Sequence, residues 1–252
     1  MFGRRAFAVV LAQIAFFTAC TSGSNTQETT TLDVYAASSL ATPFADAGLA
    51  YEKAHPGVKV QFNFGASSDL ARFVQEGAPA DVFASADMSK MDRVESKGLL
   101  DSPPVIFATN YLEIIVEKGN PLNISSLQDL ENLDLVFVTT SPDVPIGKYT
   151  AEVLKKAGVS ITPDSLESNV KGIMLKVASG EADAGIVYHS EIIASDGQVE
   201  GVEIPAEFNI VATYPIGIIK NSANKKQAQG FVDFLLSTAG QTLLTQYGFG
   251  LP

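Results

Sequence analysis

The chain has 252 residues, 46% of them hydrophobic, enough for one large domain or two modest lobes. Its formal net charge of −11 argues against a nucleic-acid surface, which would be basic, yet leaves room for a small anion held at a local site. There is no Trp, and the single Cys excludes an intrachain disulfide.

Residues 1–19 carry Arg4 and Arg5, then a run from Ala6 to Phe17 that is apolar except for Gln13. This is the pattern of a signal peptide, too short for an ordinary membrane span. Thr18-Ala19-Cys20 resembles the end of a bacterial lipobox, whose cysteine is lipidated and becomes the first mature residue. Phe17 stands where Leu is usual, so plain secretory cleavage is the alternative to lipidation at Cys20. Thr21–Thr31 (TSGSNTQETTT) has no apolar residue and reads as a flexible tether. Residues 20–31 are thus expected to hold an exported body in the periplasm or at the outer face of the cell membrane. No later segment reaches the length of a membrane span.

The body starts with a strand at Leu32–Ala37, followed by Ser38-Ser39 and a helical stripe through Leu40, Phe44, Ala47 and Tyr51. Val58–Phe64 (VKVQFNF) alternates as a half-buried strand does. Gly65-Ala66-Ser67-Ser68-Asp69 is rich in helix-capping residues, and Leu70, Phe73 and Val74 mark the apolar face of the helix behind it. A strand feeding a serine-rich helix start places hydroxyls and free N–H groups at the positive end of a helix dipole, which suits an anion. Taken singly, Ser67 and Ser68 read equally as plain caps. The same device recurs at Ser38-Ser39, and two such junctions in neighbouring βα units share the carboxyl edge of a sheet, where α/β folds bind ligands.

Asp81–Ala84 is the next strand and Met88–Leu99 the next helix. Tyr111–Val116 is a long β-type run that predicts a crossover to a second lobe. Ile124–Leu130 reads as a short helix capped by Ser125 or Ser126, and Leu133–Val138 as a buried strand. Thr139–Lys148 is a loop with two prolines, and a helix follows over Tyr149–Ala157. Gly147-Lys148 is no phosphate loop: no Gly lies five residues before Gly147, and Tyr149 replaces the Ser/Thr after the Lys. Ser168-Asn169-Val170-Lys171 reads as a cap before a helical stripe through Ile173, Met174 and Val177, and Gly185–Tyr188 is a strand. Glu191–Ala194 reads as helix or turn and Val202–Ile204 as a short strand. Ile210–Ile219 is the return crossover, and Asn224–Leu236 and Ala239–Tyr247 are helices. The pattern predicts a two-lobed α/β protein with a cleft. Lobe I takes 32–110 and 216–252, and lobe II takes 111–215.

Four segments stand together: AASSL at 36–40, FGASSDLARFVQEGAPADVFASAD at 64–87, VPIGKY at 144–149 and SNVKGIMLKVASGEADAGIVY at 168–188. Together they resemble the molybdate-binding proteins of bacterial molybdate ABC transporters, from about Leu32 to the C-terminus. The resemblance implies a type II periplasmic-binding-protein fold, each lobe a mostly parallel sheet flanked by helices. It implies capture of molybdate or tungstate, dehydrated and held by neutral donors, and delivery to membrane permease subunits. The donors it implies are the hydroxyls and N–H groups of Ser39 and Ser67, the N–H groups of Ile146 and Val170, and the phenol of Tyr188. No cofactor, no free metal cation, no nucleic acid and no partner copy of the chain are expected, and a neutral cage selects by size and leaves the smaller sulfate. Ile146 stands where the family commonly has a small residue, and His189-Ser190-Glu191 where Ser/Thr-Asp is usual.

Physics supports the same donor set, since a buried dianion needs several aimed donors to replace its water. Two other binders are conceivable, one for phosphate or sulfate and one for six-coordinate molybdenum. A phosphate site would want a carboxylate such as Asp69 to accept the ligand's proton, and six-coordinate molybdenum would want Asp183 or Glu191. Ser39, Ser67, His189 and Asp183 are the pieces of a paper hydrolase, but there is no G-x-S-x-G and only two His.

Overall fold

The computed structural model describes residues 29–132 and 134–252. The expected signal peptide, Cys20 and most of the tether lie outside them. The strands are β1 (Thr30–Ala37), β2 (Val58–Gly65), β3 (Val82–Ala84), β4 (Val105–Asn110), β5 (Leu112–Glu117), β6 (Phe137–Thr140), β7 (Ser165–Glu167), β8 (Ala184–Tyr188), β9 (Val199–Glu203) and β10 (Ala212–Ile218). The helices are α1 (Ala41–Ala54), α2 (Ser67–Gln75), α3 (Met88–Glu95), α4 (Pro145–Ala157), α5 (Val170–Ala178), α6 (His189–Ala194), α7 (Lys225–Leu236) and α8 (Thr238–Gln246). Among the described residues no helix is long and apolar enough to cross a membrane.

Two five-stranded sheets form, in the orders β2-β1-β3-β10-β4 and β7-β6-β8-β5-β9. Each is mixed rather than mostly parallel. β1 pairs parallel with β2 and β3, and β6 with β7 and β8. The other half of each sheet is antiparallel, through β10 and β5. The reason is the crossover: a strand arriving from the other sheet runs against the βα units it joins. The two orders match, with β6, β7 and β8 in the places of β1, β2 and β3, although no repeat is visible in the sequence.

The chain passes between the sheets at Tyr111 and again across 204–211. β10 pairs with β4 from Ala212 onward, so 212–215 belong to the first sheet and not to the second lobe expected for them. Likewise β1 begins at Thr30, inside the expected tether, because Thr30 and Thr31 pair with Val58 and Lys59.

Aromatic rings fill the first core. Phe44 lies 5.8 Å from Phe231, edge to face, and 5.6 Å from Phe107, in the geometry that ring quadrupoles favour. The stripe of α2 buries Leu70, Ala71 and Val74, while the expected member Phe73 is half exposed under the Arg72 guanidinium. α4 starts at Pro145, four residues before the expected Tyr149, since Pro fits the first helical turn. β6 lies at Phe137–Thr140 rather than at the expected 133–138, and Leu133 lies outside the described residues.

Candidate anion-binding site

The matched sheet orders set two βα edges face to face. The first sheet offers the ends of β1 and β2, and the second offers those of β6, β7 and β8. Between them is a cavity of about 10 Å³ lined by Ser39, Ser67, Ile146, Val170 and Tyr188, with Ser38 beside them. All five expected site residues therefore meet at one point, and no single segment of the chain builds it. A space this small excludes organic solutes, which need about 300 Å³ or more. No Lys or Arg lines it.

The backbone supplies donors because three helices start here without a side-chain cap for their first N–H. Ala66 caps α2 and Val144 caps α4, neither with a capping side chain. Asn169, within the expected capping segment, caps α5, but its carboxamide takes the N–H groups of Lys171 and Gly172 and leaves that of Val170. First-turn N–H groups have no carbonyl four residues back, so those of Ser67, Ile146 and Val170 stay available at the positive helix ends.

Ser67 is not the cap that the sequence suggested. It is the first residue of α2, and its Oγ accepts the Ala86 N–H at 3.1 Å. With that lone pair occupied, its proton is the group left to donate. Ser39 Oγ shares a 3.1 Å hydrogen bond with the Tyr214 phenol. Tyr188 is 1% exposed, and its hydroxyl has no hydrogen-bond partner among the described residues. Burial, joined by the charges of its neighbours, raises the Tyr188 pKa well above the ordinary phenol value, so Tyr188 keeps its proton. The arrangement is a set of neutral, buried donors without acceptors, which matches an anion that carries no proton.

Tyr214 was not expected here. It is fully buried, its ring lies 5.7 Å from that of Tyr188, and it orients Ser39. The only hint in the sequence is one polar-tipped ring inside the apolar run IVATYPIGII. The rejected acceptors stand elsewhere. Asp69 is exposed beside Arg72, Asp183 Oδ2 accepts the Val136 N–H at 2.7 Å, and Glu191 pairs with Lys171; none lines the cavity. His189 turns to Glu113, Nδ1 to Oε1 3.0 Å, and stacks on Tyr111, so the hydrolase set does not assemble. The Ile146 side chain packs into the core, which leaves its N–H free of its bulk.

Ion pairs cross between the sheets at the cleft. Asp143, ahead of α4, takes Arg93 at 2.7 Å and Lys90 at 3.4 Å from α3. Lys148 of α4 reaches Asp87, the cap of α3, at 3.3 Å. Arg93's hydrogen bond, with the charges of Lys90 and Arg93, holds the Asp143 pKa below its usual value.

The family described as bacterial extracellular solute-binding protein matches residues 32–250. The molybdate-binding protein ModA of Mycobacterium tuberculosis is 38% identical over 227 residues, covering 90% of this chain and 87% of that protein. The substrate-binding domain of a putative molybdenum ABC transporter from Clostridium difficile is 30% identical with a TM-score of 0.68, covering 89% of this chain and all of that one. The sulfate-binding protein SubI of Mycobacterium tuberculosis shares the fold, with a TM-score of 0.80 at 22% identity over 87% of this chain and 86% of that one. The donor-lined cleft between two matched sheets is thus set in a chain that belongs to the bacterial extracellular solute-binding proteins, in the family that includes the molybdate-binding proteins.

Proposed function

We propose that this protein captures molybdate, and tungstate with it, outside the inner membrane and hands it to the permease subunits of an ABC transporter. The observation that carries the reading is the buried Tyr188 hydroxyl, without a partner among the described residues, at a cavity of helix N-termini that no described Lys or Arg lines. Ser39 and Ser67 donate through hydroxyl and N–H, Ile146 and Val170 through N–H, and Tyr188 through its phenol. The first sheet acts as lobe I and the second as lobe II, closing on the ion. The protein works as a monomer without a cofactor and as a binder rather than an enzyme, with Cys20 as its lipid anchor. The molybdate-binding relatives support the ligand and the transporter partner, and Thr18-Ala19-Cys20 supports the anchor.

Titration calorimetry of the purified protein tests the ligand. Tight one-to-one binding of molybdate with little heat from sulfate or phosphate is the expected result. Tight sulfate with indifference to molybdate would keep the transport role and overturn the substrate. Ser39→Ala and Ser67→Ala each leave an oxyanion lone pair unmatched and should weaken binding by about 1–3 kcal/mol. Wild-type affinity in both variants would remove them from the site.

The cross-cleft ion pairs favour the closed form. Partly exposed pairs contribute little each, so Asp143→Ala should speed molybdate release in stopped flow by about two- to five-fold. An unchanged release rate would mean that these pairs do not hold the lobes together.

A further inference from the structure

Directly behind the donor Val170, Lys171 places its Nζ 2.8 Å from Glu191 Oε2. Glu191 is fully buried, and apart from the Lys171 ammonium neither of its carboxylate oxygens has a partner among the described residues. Lys171 is the second residue of α5, and Glu191 is the third of α6, whose cap is Tyr188. The pair therefore joins the two junctions that carry the Val170 and Tyr188 donors. The field of Glu191 reaches the site, since its charge helps to raise the pKa of both Tyr188 and Tyr214. Burial raises the pKa of Glu191 itself, against the opposing charge of Lys171.

A bare carboxylate in this place would repel the oxyanion through a poorly screened medium. Asp87, the other buried carboxylate whose charge reaches Tyr188, is matched in the same way by Lys148, two residues after the donor Ile146. Each donor-bearing helix of the second sheet thus brings a lysine to a buried acid.

We propose that Lys171 is a positioning and charge-compensating residue that sets the oxyanion affinity of the cleft without touching the ligand, by cancelling the charge of Glu191. The inference rests on the oxyanion reading above. It is tested by calorimetric titration of wild type, Lys171→Met, Glu191→Gln and the double variant with molybdate, with sulfate as second probe, alongside thermal unfolding of each. At a pH high enough to keep Glu191 ionised, whose pKa burial raises, Lys171→Met should bind about ten-fold or more weakly. Glu191→Gln, which leaves the cation unmatched, should bind at least as tightly as wild type, and the double variant should return to within a few-fold of it. A purely mechanical tie would instead make Glu191→Gln lose as much as Lys171→Met, with no recovery in the double variant, and that result overturns the proposal. So does wild-type affinity in Lys171→Met. If Lys171→Met does not fold, Glu191→Gln must still bind more tightly than the double variant, and equal affinities sink the idea. Failure of the wild type to bind either probe would show in its own titration, and would remove the oxyanion reading and this inference together.

Discussion

Val170→Pro is expected to bind molybdate about 10- to 100-fold more weakly than wild type while unfolding near the same temperature. The substitution removes one N–H and exchanges the buried Val170 side chain for an apolar ring of similar size. Val170 is the first residue of α5, where proline is favoured because that N–H has no helical acceptor in any case. Asn169 before it is extended, φ −162° and ψ 176°, which is the backbone a residue before proline adopts. The Asn169 cap on Lys171 and Gly172 does not depend on the N–H of Val170. Val170→Ala, which keeps the N–H, is the control and should stay within a few-fold of wild type. Calorimetry and a melting curve decide it. Proline at 170 with unimpaired affinity would show that this helix start does not face the ion.

Gly147→Ala should reduce molybdate binding by about two orders of magnitude and cost about 1–3 kcal/mol of stability. A Cβ at 147 would lie 2.5 Å from the Thr140 carbonyl oxygen and from Thr140 Oγ1, and would also strike the Ser141 carbonyl oxygen. Backbone oxygens at the end of β6 cannot swing aside as a flexible side chain would. The first turn of α4 must move instead, and Ile146, the adjacent residue, moves with its N–H. Ligand titration read beside urea unfolding separates the two effects. Full affinity in a destabilised variant would mean that the turn repacks without displacing the donor.

Much of the site was legible because its parts are local. Strand, serine turn and helix stripe at 58–74 follow from alternation, capping chemistry and 3.6-residue spacing, all of which act over a few residues. The resemblance of AASSL, FGASSDLAR, VPIGKY and SNVKG…GIVY to one family implied Ser39, Ser67, Ile146, Val170 and Tyr188 as one set, and these five line one cavity. Where the local reading failed, long-range partners had taken over. Ser67 looked like a cap, but Ala86 gives its N–H to the hydroxyl and leaves the cap to Ala66. β10 was divided between lobes because an apolar run carries no mark of which sheet it will join.

The sequence by itself therefore determined the βα units and the polar N-terminal lead, since these depend on backbone propensity and periodic burial, while the donor positions were implied by the family resemblance. Only the tertiary structure decided that the sheets are mixed, that Tyr214 orients Ser39, and that Lys171 and Glu191 meet behind the donors. Those contacts join residues 20 to 175 positions apart, and at such separations the pairing is set by which packing buries the most apolar surface and leaves the fewest polar groups unmatched.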